Sequence, residues 1–236
     1  MSNKIKLFTI PYAGGSVSIY NKWKEFLHDD IIMCPVELSG HGTRIKEDLY
    51  NSIEEAVDDI YNLIRKSLDD TNYALYGHSF GSLLAFEVAH RLVDNGIHEP
   101  SHIFFSGMNP PSVNVKPKNL YKLSDEEFLM EIFSLGGTPK ELFEHKRLIK
   151  LFLPILKSDY SLFERYMFKT GRKKFDCDIT VFSGEEDTII DYEQIKKWDE
   201  CTAGTCLYSI LHGGHFFIDE NYKYIVNMIN NTLVYF

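Results

Sequence analysis

The segment 77–81, Gly-His-Ser-Phe-Gly, is the part of the sequence that most restricts how this chain can fold. A short apolar run, 73–76, precedes it, and apolar residues at helical spacing follow it over 83–92. Gly-x-Ser-x-Gly between a strand and a helix predicts a sharp turn that lifts the serine hydroxyl out of the sheet, at the positive end of the helix dipole. Side chains at positions 77 and 81 would collide in such a turn, so glycine is required at both.

The rest of the chain alternates short β-type runs with amphipathic helical patterns. A helix is predicted over 52–68, where Ser52 and Glu55 form a capping box, and another from about Asn221 onward. Strands that alternate with helices predict an α/β fold, with a mainly parallel sheet and helices on both faces. The predicted strands are short, apolar and rich in β-branched or aromatic residues, and they cover 5–10, 31–36, 73–76, 102–105, 179–182 and 207–210.

One segment breaks this alternation. Residues 110–174, called the lid segment below, contain helical patterns and no strand candidate. A helical insertion after a strand of such a sheet is typical of a cap over a functional site. We therefore expect a single domain over residues 1–236 with a helical lid insertion at about 110–174; a helical layer without a gating function is the alternative.

Composition excludes several classes of protein. Of the 236 residues, 44% are hydrophobic and 25% are charged, which is typical of a globular domain. The formal net charge of −9 argues against nucleic acid or an anionic membrane as the main partner. The four cysteines lack the spacing of a zinc site or a disulfide framework, which favours reduced thiols in a cytoplasmic protein. We expect no metal and no cofactor.

A serine hydroxyl such as that of Ser79 needs a base to act as a nucleophile, and the base needs an orienting acid. In this kind of fold the chain order is serine, acid, histidine. The predicted base is His215, in a Gly-Gly-His-Phe segment that follows the last strand. His212 lies nearer the strand and is favoured as a structural residue, and His41 precedes Ser79 in the chain.

The orienting acid should lie at the carboxyl end of the strand 179–182. Glu185, Glu186, Asp187 and Asp191 follow that strand. A short aspartate in a tight turn holds its carboxylate more rigidly than a glutamate does, so Asp187 is the predicted acid and Asp191 the alternative.

Two N–H donors are needed where negative charge develops on the substrate oxygen. The residue after the nucleophile, Phe80, supplies the first from its backbone. The loop 11–16, Pro-Tyr-Ala-Gly-Gly-Ser, is expected to supply the second from Ala13, with Tyr12 as the alternative. A dinucleotide site in this loop is disfavoured, because the G-x-G-x-x-G pattern is absent.

These segments together resemble the type II thioesterases of nonribosomal peptide and polyketide synthesis, which have the α/β-hydrolase fold. The resemblance runs nearly end to end, and its more specific parts are the loop 11–16 and the lid pattern. The sequence departs from the family pattern at Phe80, where methionine is usual, and at 39–41, Ser-Gly-His, where many members have Pro-Gly-Arg. The segments that carry it are 11–16, 40–44, 77–81, 106–107, 110–111, 135–139, 153–154, 158–160, 184–187 and 213–216.

The resemblance implies a serine thioesterase with Ser79 as nucleophile, Asp187 as acid and His215 as base. Its substrate would be an acyl group wrongly loaded on the phosphopantetheine thiol of a carrier domain, and the enzyme is expected to be a monomer. A free-standing carboxylesterase or acyl-CoA thioesterase is the alternative on the same scaffold. A non-catalytic adaptor that binds carriers is disfavoured, because it would not need all three residues.

Docking of an acidic carrier domain would require local positive charge, since this chain is itself acidic. Two basic groups lie at the start and at the end of the lid segment, and the second group is the predicted docking surface. The first group is Lys116, Lys118 and Lys122, and the second is Arg172, Lys173 and Lys174.

Overall fold

The computed structural model describes residues 4–69, 71–113, 118–134 and 146–235. Its centre is a sheet of 6 strands in the order β2-β1-β3-β4-β5-β6, and all neighbouring strands are parallel. The predicted α/β class is confirmed. The strands are β1 Ile5–Ile10, β2 Ile31–Pro35, β3 Tyr73–His78, β4 His102–Ser106, β5 Asp178–Gly184 and β6 Cys206–Leu211.

Helices of both kinds connect these strands. The helix predicted after Ser52 is present, and the Ser52 hydroxyl oxygen accepts a hydrogen bond from the Glu55 N–H at 3.1 Å. The α-helices are α1 Ile53–Ser67, α2 Phe80–Asp94, α3 Asp125–Ser134, α4 Lys146–Arg165, α5 Tyr192–Ile195 and α6 Tyr222–Val234. Short 3-10 helices cover Val17–Glu25, Gly42–Arg44, Leu120–Lys122, Lys196–Glu200 and Phe217–Asp219.

Both faces of the sheet are covered by apolar layers. Alternate residues of a strand point to opposite faces, and so Phe8 and Leu75 pack toward α1 and α2. Leu7 and Tyr76 pack on the other face, in the cluster that includes Trp23. Each large apolar side chain that is fully buried in this way contributes about 1.5–3 kcal/mol relative to an exposed one. The two layers therefore fix the sheet whose carboxyl edge carries the site described below.

The lid segment forms helices α3 and α4 between β4 and β5. It has a small apolar cluster of its own, which includes Phe128 from α3 and Leu156 from α4. Of the segments and residues named in the sequence, 135–139 and Lys116 lie outside the described residues. No helix in the described part of the chain is long and apolar enough to cross a membrane.

Glycines 77 and 81 allow β3, α2 and β1 to approach each other closely. A Cβ added at Gly77 would lie under 3.0 Å from backbone atoms of Gly81 and Ser82, and one added at Gly81 would lie as close to the carbonyl oxygens of Ile10 and Pro11. Backbone atoms on both sides leave no flexible side chain that could move away. The requirement for glycine at both positions follows from these contacts.

We expect Gly81→Ala to destabilise the protein by about 1–3 kcal/mol or more, because overpacking against backbone must displace β1 or α2. Gly214→Ala is the matched control, since a Cβ there meets nothing within 4 Å and its φ lies outside the left-handed region. Denaturant melts of the two variants measure the difference. Equal stability of Gly81→Ala and the wild type would contradict the packing described here.

Candidate active site

Ser79 lies in a strained turn between β3 and α2. Its backbone angles are φ 53° and ψ −118°, a conformation that residues other than glycine rarely adopt. Surrounding hydrogen bonds stabilise this strained backbone conformation. The Ser79 N–H donates to the Ser106 carbonyl at 2.7 Å, and the buried Ser82 hydroxyl donates to the Gly77 carbonyl at 2.7 Å. These bonds hold the turn against β4 and leave the Ser79 hydroxyl at the carboxyl edge of the sheet.

The structure brings Ser79, His215 and Asp187 into one chain of hydrogen bonds. The distance from His215 Nε2 to Ser79 Oγ is 2.9 Å, and the distance from His215 Nδ1 to Asp187 Oδ2 is 2.8 Å. His215 and Asp187 are buried. A carboxylate can only accept, so a proton on Nδ1 leaves Nε2 of a neutral ring free to accept the serine proton. This arrangement can remove a proton from the Ser79 hydroxyl.

Backbone hydrogen bonds hold the loops that carry Asp187 and His215. The Glu185 N–H donates to the Leu211 carbonyl at 2.7 Å, and the Glu186 N–H donates to the Gly213 carbonyl at 3.0 Å. The second oxygen of Asp187, Oδ1, accepts from the Ile189 N–H at 2.9 Å. Both oxygens of Asp187 are thus used, and the carboxylate is fixed toward His215.

The other acidic candidates after β5 have different partners. Asp191 caps α5, because its side chain accepts from the Glu193 N–H at 3.0 Å. Glu185 is exposed and lies 2.5 Å from Nδ1 of His212, which raises the pKa of that histidine. In the described ranges, Glu185, Glu186 and His212 are also the one group of acidic, histidine or cysteine side chains close enough to share a metal ion, and all three are exposed.

In the loop 11–16, the backbone N–H of Ser16 meets no acceptor among the described residues, and neither do those of Tyr12 and Ala13. The next two are occupied: the Gly14 N–H donates to Asp159 Oδ2 at 2.7 Å, and the Gly15 N–H donates to the Tyr12 carbonyl at 2.9 Å. The Phe80 N–H at the start of α2 likewise meets no acceptor within the described ranges. Both predicted donors are therefore available to a ligand, and Tyr12 remains the alternative to Ala13.

Two buried side chains, one in the residue before Ser79 and one hydrogen-bonded to the loop after β1, were not predicted as parts of the site. The ring of His78 packs between Tyr12 and His215, at centroid distances of 5.8 Å and 5.2 Å. Burial, followed by the nearby His215, holds the pKa of His78 well below its ordinary value, so this ring stays neutral. The other group is Asp159 of α4, which also receives a hydrogen bond from His41. His41 therefore has a partner in the lid segment rather than Ser79.

The predicted docking residues lie before the amino end of β5, whereas the Ser79 hydroxyl lies at the carboxyl edge. The strand between these ends is about 20 Å long at ~3.3 Å per residue. Arg172 forms two hydrogen bonds with the buried Glu87, at 2.9 Å and 2.7 Å. Lys173 pairs with Asp176, and the Lys174 ammonium lies 3.4 Å from the Asp199 carbonyl.

Comparison with known proteins identifies the family. The family model of the thioesterase domain matches residues 5–233. The gramicidin S biosynthesis protein GrsT of Aneurinibacillus migulanus is 32% identical, over 92% of this chain and 84% of that protein. The medium-chain S-acyl fatty acid synthase thioesterase of Rattus norvegicus is 34% identical, over 97% of this chain and 88% of that protein.

The fold comparison gives the same result. The crystal structure of ClbQ, from the colibactin NRPS/PKS pathway, superimposes with a TM-score of 0.94 and 36% sequence identity. The match covers 98% of this chain and 97% of ClbQ. With a serine, a histidine and an aspartate hydrogen-bonded in series at the carboxyl edge of a parallel sheet, the chain belongs to the thioesterase domain family and is a thioester hydrolase.

Proposed function

We propose that Ser79 is the nucleophile of this thioesterase, His215 its general base and acid, and Asp187 the carboxylate that orients His215. The N–H groups of Phe80 and Ala13 stabilise the oxyanion. The observation that carries the proposal is the pair of hydrogen bonds through His215, 2.9 Å to Ser79 and 2.8 Å to Asp187. The distances suit proton transfer, which needs a separation of about 2.6–3.2 Å.

The first half of the reaction acylates the enzyme. The Ser79 oxygen attacks the thioester carbonyl carbon as its proton passes to Nε2 of His215, and the carbonyl electron pair moves onto oxygen. The two N–H donors stabilise that oxygen, and removal of one such donor typically costs about 100- to 1,000-fold in kcat. Collapse of the intermediate breaks the C–S bond, and the sulfur leaves as a thiol with the proton from His215. Asp187 stabilises the imidazolium between these transfers.

The second half regenerates the enzyme. A water molecule gives its proton to His215 and attacks the acyl-serine carbonyl carbon. The same two donors stabilise the second tetrahedral intermediate, whose collapse returns the proton to the Ser79 oxygen and releases the acid. One base, one nucleophile and one pair of donors thus suffice for both halves, with no metal ion or cofactor in either step.

The proposed substrate is an acyl group held as a thioester on the phosphopantetheine arm of a carrier domain of nonribosomal peptide or polyketide synthesis. Similarity to GrsT, a gramicidin S biosynthesis protein, and to ClbQ, from an NRPS/PKS pathway, supports this substrate class. We further propose that the enzyme removes wrongly loaded acyl groups and so restores stalled carriers, and that it acts as a monomer in the cytoplasm.

A second candidate substrate is a medium-chain fatty acyl group on a fatty acid synthase carrier. Similarity to the fatty acid synthase thioesterase of Rattus norvegicus, at 34% identity, favours it. Both candidates share the phosphopantetheine thioester, and they differ in the acyl group and the carrier. A panel of short, branched and medium-chain acyl groups on each kind of carrier separates them.

We expect Ser79→Ala and His215→Ala each to remove nearly all hydrolysis of an acyl-carrier, because the residues act as one unit. Asp187→Asn should reduce kcat by about 10,000-fold, since the amide presents the wrong partner to the ring. Glu185→Gln is the matched control and should leave kcat nearly unchanged. Full activity of folded Asp187→Asn, or a crippled Asp191→Asn beside it, would contradict the assignment of the acid.

Docking through the basic residues before β5 is also a proposal, and it is tested with Lys173→Glu/Lys174→Glu. Arg172 is left in place, because its loss would leave the buried Glu87 carboxylate without its positively charged partner. We expect a higher KM for acyl-carrier and an unchanged KM for an acyl-N-acetylcysteamine thioester, with the difference shrinking in added salt.

The matched control for docking is Lys24→Glu/Lys66→Glu, which makes the same change in net charge at two exposed sites elsewhere. An equal rise in KM for both double variants would assign the effect to overall charge. No rise in either would remove residues 173–174 from the docking surface.

A further inference from the structure

Asp159 is a buried carboxylate that joins three separate segments of the chain. Only 1% of its side chain is exposed. Its Oδ2 atom accepts the Gly14 N–H at 2.7 Å and lies 2.9 Å from Nε2 of His41. Gly14 belongs to the loop after β1, His41 to the loop after β2, and Asp159 itself to α4 of the lid segment. A buried carboxylate without partners destabilises the folded protein by several kcal/mol. The hydrogen bonds from Gly14 and His41 offset this cost for Asp159.

The Gly14 bond bears directly on the oxyanion donor. Gly14 follows Ala13, and its φ of +72° is in the left-handed region that favours glycine. Leu156 lies one helical turn before Asp159, and a Cβ added at Gly14 would meet the Leu156 side chain at under 3.0 Å. The same face of α4 therefore both packs on this loop and binds its N–H, which restrains the peptide next to Ala13.

His41 fixes the other side of the carboxylate. Its Nδ1 lies 2.9 Å from the Ser39 carbonyl, so both ring nitrogens are engaged. Burial opposes the charged ring, but the Asp159 hydrogen bond and charge, with smaller contributions from Ser39 and Glu37, raise the pKa of His41 above its ordinary value. A positively charged ring beside a carboxylate makes a stronger hydrogen bond than a neutral pair does.

Glu37 ties the β2 loop to the segment that follows the β1 loop. Its Oε1 accepts the Val17 N–H at 3.0 Å, and its Oε2 accepts the Thr43 N–H at 3.0 Å. The loop 11–16 is therefore held at two places, by Asp159 at Gly14 and by Glu37 just after Ser16. Two adjacent glycines give this loop many conformations in the absence of such bonds.

We propose that Asp159 and His41 are positioning residues that hold the Ala13 N–H toward the reacting carbonyl, and that they make this donor depend on the docking of α4. The inference rests on the proposed function, which assigns Ala13 to the oxyanion hole. Neither residue touches the substrate. Because the carboxylate sits on the lid segment, any displacement of α4 breaks the Gly14 bond and releases the loop, so that the full oxyanion hole is present only when α4 is seated.

The test compares Asp159→Ala with the wild type on an acyl-N-acetylcysteamine thioester and on an alkyl trifluoromethyl ketone. The ketone forms a tetrahedral adduct whose oxyanion occupies the same donors as the transition state. We expect kcat to fall by about 10- to 100-fold, less than for complete loss of a donor. The ketone should bind more weakly by the same factor, while KM changes little. Asp159→Asn keeps an oxygen that accepts the Gly14 N–H and should recover part of both losses.

Asp125→Ala is the matched control. Asp125 is 68% exposed on α3 and pairs with Lys157 of α4 at 2.6 Å, so it is a carboxylate that also contacts this helix. Because solvent-exposed ion pairs contribute little to stability, we expect kcat and ketone affinity of Asp125→Ala to stay within about twofold of the wild type. A loss in Asp125→Ala as large as that in Asp159→Ala would assign the effect to general loosening of the lid segment and overturn the inference.

Other outcomes also decide the matter. Wild-type kcat in folded Asp159→Ala, or a fall in kcat without weaker ketone binding, would overturn the inference. If Asp159→Ala does not fold, His41→Gln replaces it; a several-fold fall in both quantities is expected, and no change in either would overturn the inference. Ser79→Ala distinguishes failure of this inference from failure of the proposed function. Activity that survives in Ser79→Ala contradicts the proposed function itself, whatever the result for Asp159→Ala.

Discussion

The close approach of three backbone segments around Gly81 is the constraint on which the rest of the site depends. The first turn of α2 lies against the carbonyl oxygens of Ile10 and Pro11, where no side chain fits. This contact places the start of α2, with Ser79 and the Phe80 N–H, directly beside the loop that carries Ala13. One glycine thus sets the spacing between Ser79 and the two proposed oxyanion donors, and preorganised spacing of this kind is the main source of electrostatic stabilisation in such sites.

The parallel sheet supplies the remaining geometry. Because all 6 strands run in one direction, the loops after β3, β5 and β6 emerge at the same edge. The loops that carry Asp187 and His215 are then joined by backbone hydrogen bonds from Glu185 and Glu186. The main chain therefore fixes the distance between Asp187 and His215 independently of their side-chain hydrogen bond. This keeps the His215 ring from rotating away from Ser79.

Features encoded locally in the sequence were predictable. The strand positions, the Ser52 cap and the turn at Ser79 each depend on residues a few positions apart, and the structure has them where the patterns indicate. The choice of Asp187 over Asp191 followed from turn chemistry, and the cap that Asp191 makes on α5 gives that residue a different partner. The α/β class followed from the alternation of these local patterns.

Contacts between distant segments were not predictable in the same way. His41 and Asp159 are 118 residues apart, and no local pattern connects them, although both lie in segments that carry the family resemblance. The pattern of the basic run 172–174 predicts an exposed charged surface, but Arg172 pairs with Glu87 on the buried face of α2. A carboxylate buried far away along the chain changes the environment of a basic residue without any signal near it.

The proposed mechanism requires the Ser79 hydroxyl to take up the acyl group from a carrier thioester. Rapid mixing of the wild-type enzyme with acyl-carrier, acid quenching and peptide mass mapping test it most directly. We expect an acyl mass shift on the peptide that contains Ser79, formed at the rate of carrier deacylation and lost as free acid appears. Steady release of acid with no acylated Ser79 peptide at any time, or with the acyl group on a cysteine, would contradict it.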